Sequence, residues 1–366
     1  MKRGLFLVQL PPPVHGVSLV NRRIVDDLTS NDRARVDILS TAYSTQLADL
    51  NRFSIRKGLR WLRLLTTFTR RLLVDRPDFV YLTPVPTGLG FVRDAPFIAL
   101  AKLARCRVIV HLHGRGIAER ARSRAWLRLY RSVLANCALI SASKGMRDRE
   151  VAALGLRGAR AYVVENAVER VEPDCYRAWR RPGDAPRLLF LSATFPFKGI
   201  FVLLCALRTL VDRGVCFRAE LVGASTPEVD AQVRTEIAGS LADWVRALGP
   251  QYGEEKLFAL GRADVFVHPT LNDYFPHVLL EAMQFGLPVV ATNVGAIGEI
   301  VEHDCTGLIV PPGDANALAD ALERLIRDSN LRCRFGMQGH RRYLERYVPE
   351  RFNAAMRAVL GAEGVL

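Results

Sequence analysis

Residues 263–291 read ADVFVHPTLNDYFPHVLLEAMQFGLPVVA. The pattern predicts a buried strand, a short polar loop, an amphipathic helix, a Gly-Pro break and a second buried strand. Asp273 lies where loop and helix meet, and Glu281 follows eight positions later. If the helix begins at that junction, the two carboxylates are about 12 Å apart along its axis and about 80° apart around it. This arrangement suits one elongated ligand whose anionic part rests at the helix N-terminus, as a nucleotide sugar would.

Length and composition indicate two globular domains. The chain has 366 residues, of which 49% are hydrophobic and 24% charged, values that are typical of folded proteins and not of disordered ones. Seven cysteines are scattered without a C-x-x-C pair, which favours reduced thiols and argues against a disulfide framework or a zinc site. They are Cys106, Cys137, Cys175, Cys205, Cys216, Cys305 and Cys333.

The net charge of +14 is unevenly distributed. Residues 1–180 hold 32 Lys and Arg against 15 Asp and Glu, whereas residues 181–366 hold 19 against 22. The basic half is therefore expected to meet an anionic partner. Residues 1–10 are too short in their apolar part for a signal peptide and are followed by three prolines, so they predict a first strand. No apolar run is long enough to predict a transmembrane helix.

The alternation of short apolar runs and longer helical patterns predicts two Rossmann-like α/β domains, each with a doubly wound parallel sheet. A polar break at residues 169–186 separates them, and ligands are expected beyond the carboxyl ends of the strands. The predicted strands are 4–10, 35–39, 79–82, 107–111, 138–141, 161–164, 187–192, 218–222, 265–268, 288–291 and 307–310. The predicted helices include 18–28, 55–74, 117–134, 200–211, 276–285 and 316–327.

An ordered set of motifs resembles a known family. The strongest lie in the second half, and weaker ones lie in the first. The set is Phe197-Lys-Gly199, Ala263-Asp-Val265, Asp273 with Glu281, Gly286 to Ala291, Gly298-Glu-Ile300, Thr306 to Pro311 with Gly313-Asp314, and then Pro13-Val-His-Gly16, His111-Leu-His-Gly114, Ser141-Ala-Ser143 and Asn166-Ala-Val-Glu169. With these motifs the chain resembles the retaining glycosyltransferases of family 4 (glycosyl transferases group 1). The resemblance implies the GT-B architecture: an acceptor-side domain at 1–172, a donor-binding domain at 173–345 and a C-terminal helix at 346–366 that packs on the first domain. In that architecture the two domains face a central cleft.

The resemblance assigns a catalytic role to Lys198, which precedes Gly199 in a predicted strand-to-helix loop. A lysine here stabilises the charge that develops on the β-phosphate as the nucleotide leaves. A solvated turn lysine is the alternative. The family usually has an arginine five residues earlier, and this chain has Ala193. Either an arginine of the basic half replaces it, or the leaving group is less well neutralised.

The two carboxylates are implied donor ligands. Glu281 corresponds to the family's carboxylate for the ribose hydroxyls, with a helix-surface Glu as the alternative. Asp273 stands where the family has Glu contacting the sugar, and Tyr274 stands where it has Gly; a plain N-cap is the alternative role for Asp273. The remaining donor-binding candidates in this segment are Phe275, Val278 and Leu279, and Glu299 follows in a loop near the donor.

The first half contributes further candidates. Gly16 lies in a strand-to-helix loop of the kind that faces phosphate. His113 matches the family's histidine beside the sugar, with a structural histidine equally expected. Residues 114–116 resemble the start of a G-x-G-x-x-G, but Glu119 takes the last glycine's place, so they predict a turn.

Two arginine-rich helical patterns, 55–74 and 115–134, carry apolar and aromatic residues on one side and suit an anionic bilayer. A core-facing stripe with a solvated back is the alternative.

The sequence thus predicts a hexosyltransferase that uses a UDP- or GDP-sugar and neither cofactor nor metal. It would act on a glycan or lipid-linked acceptor in cell-envelope synthesis at the cytoplasmic membrane face. The alternative is a catalytically impaired glycosyltransferase-like subunit of a glycan-assembly complex. Nucleic-acid binding is disfavoured because the basic half lacks a recognisable binding motif. The loop at 249–252 is the candidate base contact, but its residues do not distinguish the bases.

Overall fold

The computed structural model divides the chain into two units. The N-terminal unit comprises residues 1–166 and 350–366, and the second unit comprises residues 167–349. The sequence predicted domain limits at 172 and 345. The structure describes residues 2–12, 15–30, 34–41, 55–156, 158–176 and 184–366.

In the described part of the N-terminal unit, six parallel strands form one sheet in the order β2-β1-β3-β4-β5-β6. Most strand residues are buried because helices cover the sheet. The strand order reverses between β1 and β3, which is where such sheets bind ligands. The strands are β1 (Lys2–Val8), β2 (Ala34–Ser40), β3 (Phe79–Leu82), β4 (Arg107–Leu112), β5 (Ala138–Ser141) and β6 (Ala161–Val163).

The helices of the N-terminal unit follow these strands, and local chemistry sets both ends of the helix at 144–154. Ser143 caps this helix by accepting a hydrogen bond from the amide of Met146, and Gly155 ends it in the left-handed conformation. The helices are α1 (Gly16–Ser30), α2 (Ile55–Val74), α3 (Gly88–Leu103), α4 (Ile117–Arg120), α5 (Arg124–Leu134) and α6 (Lys144–Leu154).

The C-terminal helix (Pro349–Ala362) packs within the N-terminal unit. Arg357 Nη1 contacts Asp27 Oδ1 at 2.9 Å. Beyond the helix, the fully buried carboxylate of Glu363 accepts hydrogen bonds from Arg160 at 2.6 Å and from the Tyr162 hydroxyl at 2.7 Å. The chain end is thereby tied to the last strand of the sheet.

In the described part of the second unit, a second sheet of six parallel strands has the order β12-β11-β10-β7-β8-β9. Its order reverses between β7 and β10, so the loops that leave these neighbouring strands meet at the carboxyl edge. The strands are β7 (Arg187–Leu191), β8 (Arg218–Val222), β9 (Val245–Gly249), β10 (Val265–His268), β11 (Val289–Thr292) and β12 (Gly307–Val310).

The helices of this unit cover the sheet. The apolar faces of two of them, at 200–212 and 315–327, pack with the strands in one core. The helices are α7 (Ile200–Asp212), α8 (Pro227–Ile237), α9 (Gly253–Arg262), α10 (His277–Gln284), α11 (Ile297–Ile300), α12 (Ala315–Arg327) and α13 (Ser329–Arg346). None of the described helices is long and apolar enough to cross a membrane.

One expectation about secondary structure is wrong, and one strand was not predicted. The helix predicted at 117–134 is two helices, α4 and α5, separated at residues 121–123, where Ser123 is the N-cap of the second. Strand β9 at 245–249 was missed because it is an edge strand whose residues are partly exposed and carry no continuous apolar run.

Candidate active site

The structure brings Lys198 and Asp273 together at the strand-order reversal of the second unit. Lys198 follows β7, Asp273 follows β10, and these two strands are neighbours in the sheet. Their carboxyl-end loops are joined by a hydrogen bond from the amide of Leu271 to the carbonyl of Phe197 at 2.8 Å. Residues that are 75 positions apart in the chain therefore share one edge of the sheet.

Gly199 is required where these loops touch. Its φ of +80° lies in the left-handed region, and a Cβ there would be 1.9 Å from the carbonyl oxygen of Pro269. A side chain would be strained in conformation and would also collide with backbone. Glycine thus lets the turn at Pro196–Lys198 settle against the neighbouring loop and fixes the position of the lysine.

The Asp273 carboxylate binds two side chains through one oxygen. Lys198 Nζ is 2.6 Å from Oδ2, and His268 Nε2 is 3.3 Å from the same atom. The other oxygen accepts a hydrogen bond from the amide of Tyr274 at 2.9 Å. Burial by itself would raise the pKa of Asp273, but the hydrogen bond from His268 and the charge of Lys198 outweigh it and hold the pKa well below its usual value. The carboxyl is therefore ionised at neutral pH.

Asp273 is not the N-cap of the following helix. Helix α10 begins at His277, its cap position is Pro276, and no side chain caps it. Asp273 lies in the loop before the helix. The predicted axial separation of about 12 Å and angle of about 80° therefore do not describe Asp273 and Glu281. The carboxylate faces Lys198 and His268 instead of the helix N-terminus.

Glu281 is paired with a lysine that the sequence did not single out. Lys256 Nζ, on α9, lies 2.8 Å from Glu281 Oε1 on α10. The second carboxylate oxygen, Oε2, is buried and has no hydrogen-bond partner among the residues the structure describes. Buried carboxylate oxygens are normally satisfied, and this one leaves acceptor capacity next to the Lys256 ammonium.

The other predicted donor ligands of this unit have different surroundings. The side chains of Phe275 and Leu279 are buried, and Val278 is half-buried, so the first two can reach a ligand only through their backbone. Glu299 is half-buried on α11, and its carbonyl accepts a hydrogen bond from Arg342 at 2.7 Å. The loop before α11 packs on the backbone of residue 273, since a Cβ on Gly295 would be 2.4 Å from that carbonyl oxygen.

In the N-terminal unit, Gly16 is the exposed first residue of α1, which follows β1 at the strand-order reversal. The preceding His15 accepts a hydrogen bond at Nδ1 from the amide of Ser18, at 3.2 Å, and burial lowers the pKa of this histidine. The weak motif at residues 13–16 is only partly visible, because Pro13 and Val14 lie outside the described residues.

His113 follows β4, is half-buried, and packs against a second histidine. Its ring centroid is 3.9 Å from that of His111. His111 is fully buried, and its Nδ1 is 2.6 Å from the hydroxyl of Tyr81. Burial lowers the pKa of His111 to about 3, so this imidazole is neutral and accepts the phenolic hydrogen. His111 is thus a structural support beneath His113.

A groove of about 970 Å³ in the second unit is not part of this site. It opens at the opposite edge of the sheet, where Asp264 precedes β10 and Pro288 precedes β11. None of the predicted site residues lines it. Among the described residues, no group of three or more His, Cys, Asp or Glu side chains is placed to hold a metal ion.

Comparison with protein families identifies most of the second unit. Residues 185–328 match the family described as "Glycosyl transferases group 1". The match covers well under half of the chain. The matched residues include Lys198, Asp273, Glu281 and Glu299, so the site assembled at the β7–β10 edge lies within the matched segment.

Relatives of this domain are named glycosyltransferases. The chain is 38% identical over 146 residues to the amylovoran biosynthesis glycosyltransferase AmsK of Erwinia amylovora, which is 38% of this chain and 35% of that protein. It is 38% identical over 155 residues to the phosphatidyl-myo-inositol mannosyltransferase of Mycobacterium leprae, 40% of each protein. The chain thus spans well under half the length of these relatives. The matches support an enzyme of the glycosyltransferase class.

The whole chain shares its fold with solved structures. Anabaena HepE in complex with UDP superposes with a TM-score of 0.75 over 99% of this chain and 100% of that one, at 19% sequence identity. With two six-stranded parallel sheets, this likeness confirms the predicted GT-B fold class. At this identity it establishes the fold alone.

Proposed function

We propose that the chain is a retaining glycosyltransferase that moves a hexose from a nucleotide sugar to a glycan or lipid-linked acceptor. The observation that carries the proposal is the Lys198–Asp273 pair at the strand-order reversal of a glycosyl transferases group 1 domain. This is the edge at which doubly wound sheets bind nucleotides. The side chains are 20% and 15% exposed, so they are partly withdrawn from water but still reachable by a ligand.

Lys198 would stabilise the departing nucleoside diphosphate. Charge develops on the β-phosphate oxygen as the glycosidic bond breaks, and a preorganised ammonium in a partly dry site stabilises it more than water does. Because this cation can fill the neutralising role, we infer that the reaction needs neither metal ion nor cofactor. Asp273 would hold the donor sugar beside Lys198.

Glu281 would bind the ribose of the donor. A carboxylate accepts hydrogen bonds from a vicinal diol, and Glu281 keeps one buried oxygen unpaired among the described residues. The adjacent Lys256 holds the other oxygen at 2.8 Å and so sets the orientation of the group. We propose UDP- or GDP-sugars as donors, and HepE is a protein of the same fold that was solved with UDP.

The acceptor is proposed from the relatives and from the basic surface of the N-terminal unit. The relatives' names refer to amylovoran biosynthesis and to phosphatidyl-myo-inositol. Helix α2 exposes basic side chains together with Leu59 (66%) and Leu62 (55%), and Leu89 on α3 is 83% exposed. The two helices are joined by a hydrogen bond from Trp61 Nε1 to the carbonyl of Arg93. Exposed leucines beside arginines suit the interface of an anionic bilayer, and we propose cell-envelope glycan synthesis at the cytoplasmic membrane face.

Donor binding tests the proposal directly. We expect one nucleotide-sugar class among UDP-, GDP- and ADP-sugars to raise the melting temperature, because a ligand at 100 times its dissociation constant adds roughly 2.7 kcal/mol. Lys198→Met should weaken that binding about ten- to hundredfold, the usual worth of a charge-assisted hydrogen bond. Lys2→Met is the matched control, since Lys2 lies at the amino end of β1 in an exposed ion pair. Activity should survive a chelator, and stable binding without transfer or hydrolysis would contradict the catalytic proposal.

A second candidate function has specific support. Ala193 replaces the family's arginine, and both oxygens of the Asp273 carboxylate already accept hydrogen bonds from protein donors. Both features suit a catalytically impaired glycosyltransferase-like subunit that binds a donor or a partner without turnover. Donor hydrolysis by purified protein that Lys198→Met abolishes would exclude it.

Membrane contact is tested with vesicles. We expect sedimentation with anionic vesicles, weakened by added salt because exposed charges are screened, and little binding to neutral ones. Replacing Leu59 and Leu62 by serine should reduce it, whereas serine at Met337, an exposed residue of the second unit, should not. Binding to DNA but not to anionic vesicles would refute membrane contact.

A further inference from the structure

His268 is a buried histidine beneath the site, and the proposed function does not yet use it. It ends strand β10 with 1% of its side chain exposed, and its ring lies parallel to that of Phe266 two positions earlier. Nε2 is 3.3 Å from Asp273 Oδ2. Nδ1 is buried and has no hydrogen-bond partner among the described residues. Buried imidazole nitrogens are normally hydrogen-bonded, and among the described residues the contact with Asp273 is the hydrogen bond that accounts for a histidine here.

These contacts set the direction of the hydrogen bond. Asp273 is ionised and can only accept hydrogen bonds. His268 must therefore present Nε2–H to it. Lys198 and His268 thus donate to the same carboxylate oxygen.

Donor binding takes the cationic partner away from Asp273, and His268 remains as a hydrogen-bond donor to this carboxylate. Lys198 is the one cationic side chain in the loops at 192–199 and 269–276, so the phosphates of the donor must draw on it. When its ammonium turns to the β-phosphate, Asp273 loses its cation. A carboxylate that is 15% exposed and loses its partner is strongly destabilised. Without a second donor to Oδ2, Asp273 would hold Lys198 and compete with the ligand.

We propose that His268 is a positioning residue for donor binding: it holds the Asp273 carboxylate so that Lys198 can leave it for the phosphates of a nucleoside diphosphate. The inference rests on the proposed function and deepens it at the same site. It also accounts for a site without the second arginine. With Ala193 in that place, binding depends on how readily the single lysine is released.

The experiment measures dissociation constants for UDP, GDP and ADP by calorimetry. His268→Leu removes the donor and should weaken binding of the preferred nucleotide roughly tenfold or more, the worth of a hydrogen bond to a charged group. His268→Gln places an amide N–H near the position of Nε2 and should restore affinity to near the wild-type value. If His268→Leu does not fold, His268→Met replaces it.

A double-mutant cycle separates positioning from general damage. Asp273→Asn removes the charge that holds Lys198, so it should bind nucleoside diphosphate at least as tightly as wild type. In that background His268→Leu should have no further effect, because His268 acts through the charge of Asp273. Equal losses in both backgrounds would overturn the inference, as would unchanged affinity in His268→Leu.

The matched control is Phe266→Leu, a buried aromatic on the same face of the same strand. It should lower the melting temperature without changing the dissociation constant. If the wild type binds none of the three nucleotides, the proposed function and this inference both fail. If the wild type binds and Lys198→Met does not, while His268→Leu binds normally, only the inference fails.

Discussion

Replacing His111 by asparagine should change how the stability of the N-terminal unit depends on pH. His111 is fully buried on β4 and accepts a hydrogen bond from the Tyr81 hydroxyl at Nδ1. Asparagine places an acceptor oxygen near the position of Nδ1, so it keeps that hydrogen bond but does not titrate. The ring of His113 lies 3.9 Å away, so the substitution also tests the support of a predicted site residue.

The magnitude follows from the pKa of His111. Burial lowers it to about 3 in the folded state, against 6.5 for an ordinary histidine. The unfolded chain therefore binds a proton at His111 more tightly than the folded chain does, and this difference affects stability between pH 6.5 and pH 3. The stability associated with the neutral ring is complete above pH 6.5 and is lost as the pH falls toward 3. Between pH 7.5 and pH 5 the loss is about 2 kcal/mol, since each pKa unit corresponds to about 1.36 kcal/mol.

Hydrogen exchange measured by mass spectrometry on peptides covering β3 and β4 reports this local free energy of opening. Between pH 7.5 and pH 5, the free energy of opening should fall by about 2 kcal/mol more in wild type than in His111→Asn. This expectation holds whatever the difference in opening free energy between the two proteins at pH 7.5. His303→Asn is the control, because His303 is exposed and lies in the second unit. Equal pH dependence in wild type and His111→Asn would show that His111 is protonated in the folded state and would refute the argument.

Three further predictions concern stability. Gly199→Ala should cost about 2 kcal/mol and weaken nucleotide binding because its Cβ meets a backbone oxygen. Gly214→Ala, with φ +65° and open space, should cost less in the same thermal-shift assay. Lys256→Met should destabilise the second unit by about 1–3 kcal/mol in urea unfolding, because it leaves the partly buried Glu281 carboxylate without its cation. No loss of stability would mean that this ion pair is solvated. Glu363→Gln, at a fully buried carboxylate, should cost about 2 kcal/mol by calorimetry. Glu345→Gln, in an exposed pair, should change little.

The sequence predicted the strands best where both faces of the sheet are covered. Residues 79–82, 138–141, 265–268 and 307–310 are continuous runs of largely apolar or β-branched residues, and the structure has strands at those bounds. Burial on both faces removes the polar positions that blur a strand pattern. The edge strand β9 keeps such positions and was missed for that reason.

Part of the candidate site could also be predicted from the sequence. Lys198 and Asp273 were singled out by their motifs, and the structure places them 2.6 Å apart. The partners His268 and Lys256 were not found. A histidine at the end of an apolar run and a lysine on an amphipathic helix are both ordinary in sequence. Neither pattern shows which carboxylate each one will face.

The sequence by itself determined the class of fold and the loops that hold Lys198 and Asp273, because hydrophobic periodicity and turn residues act over a few positions. Only the tertiary structure decided the partners of the charges. Strand β10 lies beside β7 although 73 residues separate the two strands in the chain, and this order puts Lys198 and His268 on one oxygen of Asp273. The packing of α9 near α10 likewise brings Lys256 to Glu281. Such pairings depend on the order in which strands join a sheet and on how helices pack, and no local pattern in the chain contains either.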